Sequence, residues 1–232
     1  MDKSAYEVIQ IDDKSWRIEE NGVRSFLFVG TEFALLIDSG FGSGDLKSEI
    51  DMLTDLPVML INTHADRDHI GCNSLFDQDK VFMHPSDFDR YHKMMGKEFI
   101  VKPVWEGDII DIGGRCFEIT LFPGHTPGSI ALLDIENGIL IAGDTVQAGA
   151  IFMFGTGRDI NAYIYSLKEI SNMRESFDKI YPSHGAFPLD TDIIDALISG
   201  AEQIRDGKIE GTDPPHNLPA KLYSVGSVKF LY

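Results

Sequence analysis

Hydrophobic and polar positions alternate on short periods at the start of the chain and on longer ones afterwards. Tyr6 to Ile11 and Ser15 to Glu20 are two β-forming runs parted by Asp12-Asp13, and Glu20-Asn21-Gly22 supplies the Asn-Gly signal of a hairpin turn. Arg24 to Val29 and Glu32 to Ile37 follow, with Gly30-Thr31 between them. Leu35-Leu36-Ile37 is apolar on both faces, the pattern of an interior strand. Leu46, Ile50 and Leu53 recur at helical intervals after Gly44, and Pro57 to Asn62 reads as another buried strand.

Further along, Ser86 has the chemistry of a helix N-cap and Gly96 that of a helix stop. Arg115 to Phe122, Ser129 to Asp134 and Ile139 to Ala142 predict three strands, the last two joined by the turn Glu136-Asn137-Gly138. Ile164, Leu167, Ile170 and Met173 mark one face of a helix from about Asp159 to Phe177. Lys179 to Tyr181 reads as a short strand, Asp190 as the cap of a helix running to about Arg205, and Leu222 to Leu231 as a terminal strand. There is no internal repeat and no linker-like stretch. Strands with helices interspersed twice over predict an α/β fold of packed layers, with residues 1–232 forming a single domain.

Composition changes this picture little. Of 232 residues, 43% are hydrophobic and 25% charged, as in ordinary globular proteins. The net charge of −17 and the lack of a Lys/Arg run argue against a nucleic-acid partner. No apolar run is long enough to span a bilayer, and Met1 to Tyr6 lacks the plan of a signal peptide, so a cytoplasmic protein with no membrane partner is expected. Cys72 and Cys116 are too few and too far apart for a disulfide framework and are expected to be thiols. Oligomeric state is not written in these features.

The metal-capable residues cluster at strand ends. His64, Asp66, Asp68 and His69 follow the strand ending near Asn62, His125 follows Phe122, Asp144 follows Ile141-Ala142-Gly143, and His184 follows Tyr181-Pro182-Ser183. A lone His or Asp after a strand is ordinarily a turn former or a solvated side chain. Four strand ends carrying such groups point instead to metal coordination, because imidazole suits zinc and iron and carboxylate adds charge and can bridge two ions.

The segment Thr63-His64-Ala65-Asp66-Arg67-Asp68-His69-Ile70-Gly71 resembles the His-x-His-x-Asp-His signature of the metallo-β-lactamase superfamily, with aspartate in place of the second histidine. Gly124-His125-Thr126-Pro127-Gly128, Gly143-Asp144-Thr145 and Ser183-His184-Gly185 resemble its later motifs in the family's order, and Ile37-Asp38-Ser39-Gly40 resembles its early aspartate motif. The resemblance implies a four-layer αββα sandwich of the glyoxalase II-like metal-dependent hydrolases and two divalent metal ions, zinc foremost, iron or manganese as alternatives. It implies His64, Asp66 and His125 on one ion, Asp68, His69 and His184 on the other, Asp144 bridging, and Asp38 supporting the loop from behind. It also implies a hydroxide held between the ions that attacks a small-molecule ester, thioester, lactone or similar substrate, with Asp68 as the catalytic carboxylate that orients it and moves its proton.

Asp66 is the departure. Three carboxylates leave the two ions less positive than two would, which weakens water acidification and favours iron or manganese. The flavodiiron proteins of the same superfamily carry glutamate here, so a diiron redox protein is the first alternative, although this chain has no room after residue 185 for their flavodoxin domain. A non-catalytic metal-binding or sensing module is the other. Glyoxalase II-like relatives hold substrate beside the stretch after the bridging aspartate. That marks Phe152 and Tyr165 as substrate-binding candidates, within a region that also contains Met153, Phe154, Arg158, Asn161 and Ser166. His84, His92 and His216 fall outside the motifs and are expected to serve packing or surface roles, and no motif supports Tyr223 as a substrate contact.

Overall fold

The computed structural model describes residues 5–232, apart from the His216 side chain, and the chain divides into two compact units, the second beginning at Thr120. The first unit opens with an antiparallel meander of β1 (Glu7–Asp12), β2 (Ser15–Glu20), β3 (Val23–Val29) and β4 (Ala34–Ile37). Asn21 and Gly22 both take positive φ, 51° and 88°, as the predicted Asn-Gly hairpin turn demands. After α1 (Leu46–Asp51) the chain adds β5 (Val58–Ile61) parallel to β4. The short helix α2 (Arg67–Ile70), β6 (Val81–Met83), α3 (Phe88–Met95) and β7 (Lys102–Pro103) complete a seven-stranded sheet in sequence order. A hairpin of β8 (Ile109–Asp111) and β9 (Cys116–Leu121) follows, and the boundary between the units falls within β9.

All four residues of β4 are buried, consistent with its doubly apolar pattern and its place between β3 and β5. Leu36, Leu46, Ile50, Leu60, Ile70, Val81 and Tyr91 share one core. Each such aliphatic side chain contributes about 1.5–3 kcal/mol of transfer free energy, which makes this core the unit's main stabilising element. The thiol of Cys72 lies 3.3 Å from the Tyr6 hydroxyl in the same core, and burial pushes its pKa up, so it is an inert packing residue.

The second unit places β13 (Lys179–Pro182), β11 (Ile139–Gly143) and β10 (Ile130–Asp134) side by side in that order. β12 (Ala150–Phe152) runs parallel to β15 (Val228–Leu231), which pairs antiparallel with β14 (Leu222–Val225). Helices α4 (Ile160–Asn172) and α5 (Ile193–Arg205) pack on each other through a core that includes Ile164, Leu167, Leu197, Ala201 and Phe230. α5 approaches β15 closely: a Cβ on Gly200 would stand 2.7 Å from the Phe230 ring.

Several predicted boundaries shift for identifiable reasons. The terminal run from Leu222 to Leu231 is a hairpin, broken where Gly226 takes φ 57°. Ser86 is not the cap it resembles; the His84 ring accepts from the Ser86 amide at 3.3 Å, and a turn of 3₁₀ helix precedes α3. Asp190 makes no side-chain cap on α5, which starts at Ile193 after Asp192. Asp159 does cap α4, accepting from the Asn161 and Ala162 amides. Strands β6, β7, β8 and β12 have two or three residues each, too short to leave a periodic signature. No described helix is long and apolar enough to cross a membrane.

Candidate metal centre

In the first unit the parallel register of β4 and β5 sets Ile37 opposite Ile61, so the residues after both strands emerge together. The carboxyl ends of adjacent parallel strands are where open α/β sheets hold their ligands. Asp38 is fully buried and adopts a left-handed φ of 62°, a conformation aspartate tolerates better than most residues. Its carboxylate accepts from the Thr63 amide, the Thr63 hydroxyl and His69 Nδ1, each at 2.8 Å.

These contacts fix the tautomers of two imidazoles. His69 Nδ1 donates to the carboxylate, which leaves the lone pair on Nε2. The single Thr63 hydroxyl proton goes to Asp38, so at 3.0 Å from His64 Nδ1 that oxygen can only accept. His64 Nδ1 therefore carries the proton, and its Nε2 also presents a lone pair. One carboxylate orients both rings, whose centroids lie 4.0 Å apart. Carboxylates flank both Nε2 atoms: Asp66 Oδ2 is 3.6 Å from His64 and Asp68 Oδ2 is 3.7 Å from His69.

A buried polar web braces the loop. Asn62 donates to the His69 carbonyl at 2.8 Å, Asn73 donates to Asn62 at 2.7 Å, and Ser39 donates to Asn73 at 2.6 Å. Residues around α3 hold the other side. Asp87, fully buried, accepts from the Ala65 amide at 2.9 Å, while Arg90 donates to Asp66 Oδ1 at 2.8 Å and to the Ala65 carbonyl at 3.2 Å. Thr63 stood inside the sequence motif, but neither its relay role nor the parts of Asp87 and Arg90 left a sequence signal.

The second unit uses the same strand-end device. β11 and β13 are parallel with Gly143 opposite Pro182, and the Ser183 amide donates to the Gly143 carbonyl at 3.1 Å. Asp144 and His184 thus leave the sheet together, with Oδ1 and Nε2 separated by 3.4 Å. The antiparallel register of β10 and β11 brings the start of β10, and the loop before it, to the same end. His125 from that loop is buried, and its Nε2 lies 3.6 Å from Asp144 Oδ2. His125 Nδ1 donates to the Phe152 carbonyl at 3.0 Å, so its lone pair also lies on Nε2.

Gly124 permits that placement. It sits at φ 135°, and a Cβ there would fall 2.4 Å from the Tyr163 backbone nitrogen. Arg158 donates to the His125 carbonyl, and the buried Tyr163 hydroxyl donates to the Thr145 carbonyl at 2.8 Å. Burial, reinforced by the charge of Asp144, holds the Tyr163 phenol well above its ordinary pKa and keeps it a donor.

The remaining residues singled out in the sequence, Phe152 and Tyr165 as substrate contacts among them, fall in different settings. Phe152 and Tyr165 are both exposed, at 41% and 64%. Met153 belongs to the second unit's core, and Ser166 donates to the Pro123 carbonyl at 2.6 Å. His84 is buried edge-on to Trp105, and His92 packs against Phe88 and Tyr91. Tyr223 packs on the second unit's core, 6.4 Å from Tyr232 ring to ring.

A comparison with known families settles the lineage: the metallo-beta-lactamase superfamily profile matches residues 18–210. The chain belongs to that superfamily. It is 26% identical to the acyl-coenzyme A thioesterase MBLAC2 of Gallus gallus over 72% of this chain and 75% of the relative. It is 31% identical to a hydroxyacylglutathione hydrolase of Synechococcus sp. over 51% of this chain and 46% of that protein. A solved metallo-beta-lactamase from Pontibacter korlensis superposes with a TM-score of 0.72 at 19% identity, covering 85% of this chain and 99% of the other. The α/β fold of this superfamily is therefore the fold of this chain. The His and Asp side chains of its strand-end loops are donors able to hold metal ions.

Proposed function

We propose that the two sets of donors act as one dinuclear centre, with the two units working as a single domain, and that the protein is a metal-dependent hydrolase of thioesters. His64, Asp66 and His125 would hold one divalent ion and Asp68, His69 and His184 the other, with Asp144 available to both. The observation that carries this reading is the tautomer control. His64, His69 and His125 each commit Nδ1–H to a fixed acceptor, which turns Nε2 into a ligand atom. Packing alone does not require three imidazoles to be committed in the same sense beside carboxylates, whereas coordination does.

Zinc is the expected ion, since imidazole-rich donor sets with carboxylates suit it, and iron and manganese are the alternatives that Asp66 favours. When bound, such ions supply acidified water and positive charge for an oxyanion. The chain's own residues do the rest. Asp68 orients the nucleophile and moves its proton, Asp38 holds the loop rigid, and exposed Phe152 and Tyr165 offer apolar and hydroxyl contacts to a substrate. A thioester carbonyl is favoured within the wider class of esters and lactones, because an acyl-coenzyme A thioesterase and a hydroxyacylglutathione hydrolase both appear among the relatives. The substrate is a small molecule, and the net charge of −17 disfavours nucleic acid.

The test is a panel of acyl-coenzyme A, hydroxyacylglutathione and lactone substrates, assayed on protein stripped of metal and reloaded with zinc, manganese or iron. Thiol release that depends on the metal and is lost in Asp68→Asn is expected. Two bound ions with no turnover of any substrate would refute hydrolysis, and reversible redox cycling of an iron-loaded form would favour the diiron alternative.

A further inference from the structure

We infer that Arg90 is a positioning residue that makes aspartate workable at position 66. The inference rests on the dinuclear reading above and concerns how one of its ligands is held.

Asp66 divides its carboxylate between two neighbours. Oδ1 accepts from Arg90 Nε at 2.8 Å and faces Arg90 Nη2 at 2.5 Å, while Oδ2 stands 3.6 Å from His64 Nε2. A planar guanidinium that engages one oxygen through two nitrogens pins that oxygen in place with charge-assisted contacts. Arg90 Nε also reaches the Ala65 carbonyl, and Asp87, one turn earlier, accepts from the Ala65 amide. Residues 65 and 66 are therefore gripped at an amide, a carbonyl and a carboxylate, all from the start of α3. The effect on Asp66 is to reserve Oδ1 for the protein and leave Oδ2 as the ligand atom beside His64.

Charge adds a second consequence. Asp66 places a third carboxylate among the donors, and the Arg90 guanidinium supplies the opposite charge on the side of that carboxylate turned from His64. An ordinary exposed ion pair is worth little and would leave metal binding untouched. This pair differs because the Asp66 side chain is only 15% exposed and Arg90 also holds the loop backbone at the Ala65 carbonyl.

The experiment is a double-substitution cycle read by competition with a chromophoric chelator for zinc and for manganese, with thermal unfolding of each metal-free variant as the folding control. Arg90→Met is expected to weaken one of the two ions by about 10- to 100-fold, the usual range when a residue supporting a ligand is lost. Arg90→Lys, which keeps the charge and loses the fork, should fall between Arg90→Met and the parent. In an Asp66→His background, Arg90→Met should change either affinity by less than about twofold, since no carboxylate remains to be aimed. An equal loss in both backgrounds would show that Arg90 merely braces the loop and would overturn the inference, as would unchanged affinities in Arg90→Met. A parent protein that holds fewer than two ions would instead overturn the dinuclear reading, and this inference with it.

Discussion

The first unit packs four donors into six residues, His64 to His69, whereas the second spreads three over the interval from His125 to His184. Both place donors beyond the ends of parallel strands, at Ile61 beside Ile37 and at Gly143 beside Pro182, with His125 alone coming from the loop before antiparallel β10. The supports differ. His64 and His69 are held by side chains, Asp38 and Thr63, inside a buried polar web. His125 is held through backbone: its Nδ1 on the Phe152 carbonyl, its own carbonyl on Arg158, and its loop closed over Tyr163 by Gly124. A dense loop of candidate donors needs side-chain scaffolding because its backbone is occupied in turning, while donors on separate segments can borrow carbonyls from neighbouring ones.

This contrast can be broken from either side. The largest effect should come from Gly124→Ala, which combines a left-handed φ with overlap on the Tyr163 backbone. A loss on the order of 3–5 kcal/mol is expected, read from urea unfolding. A loss below about 1 kcal/mol, the size of an ordinary surface substitution, would mean that the loop before His125 is not backbone-locked. Asp38→Asn comes next. Asparagine tolerates the left-handed conformation but can turn its amide protons towards His69 Nδ1, moving the imidazole proton to Nε2. Metal affinity should drop by about 10- to 100-fold by chelator competition while the fold is kept. Retention of parental affinity would remove Asp38 from the scaffold.

A pH effect of moderate size belongs to His84, which lies just after β6 in the first unit. Burial holds its imidazole below the ordinary pKa, only partly offset by Asp87 and Glu106. The unfolded chain therefore takes up a proton that the folded chain resists, so stability is whole above about pH 6.5 and falls as the pH drops towards the lower folded pKa. Protonation also removes the acceptor for the Ser86 amide. His84→Asn, which preserves an acceptor without titrating, should lose less stability on acidification than the parent; identical urea midpoints across the range would contradict this. The smallest effect is expected from Phe152→Ala. The support for His125 is the Phe152 carbonyl and not its exposed ring, so metal affinity should change by less than about twofold, with any loss confined to KM. A large fall in metal affinity would make the ring part of the scaffold.

Much of this was legible in the sequence, because the donors follow directly on apolar strand runs whose ends the chain marks clearly. Ser15 to Glu20 forms a strand with the predicted limits, and the helix predicted from about Asp159 starts there, at Ile160. What escaped was tertiary. Arg90 reaches back 24 residues to Asp66 from a helix whose composition gives no hint of it, and His84 displaces Ser86 as a cap through a ring nitrogen that propensity does not count. β12 is three residues long and pairs with β15 near the far end of the chain, a contact that no local pattern encodes. The candidate donor positions were written locally; the groups that hold them were not.

Metal content per chain tests the central claim most directly. Protein stripped with chelator, reloaded with zinc and freed of excess should hold two ions per chain by elemental analysis, falling towards one in Asp66→Ala. One ion or none in the parent chain, or two ions undiminished in both Asp66→Ala and His125→Ala, would contradict the account.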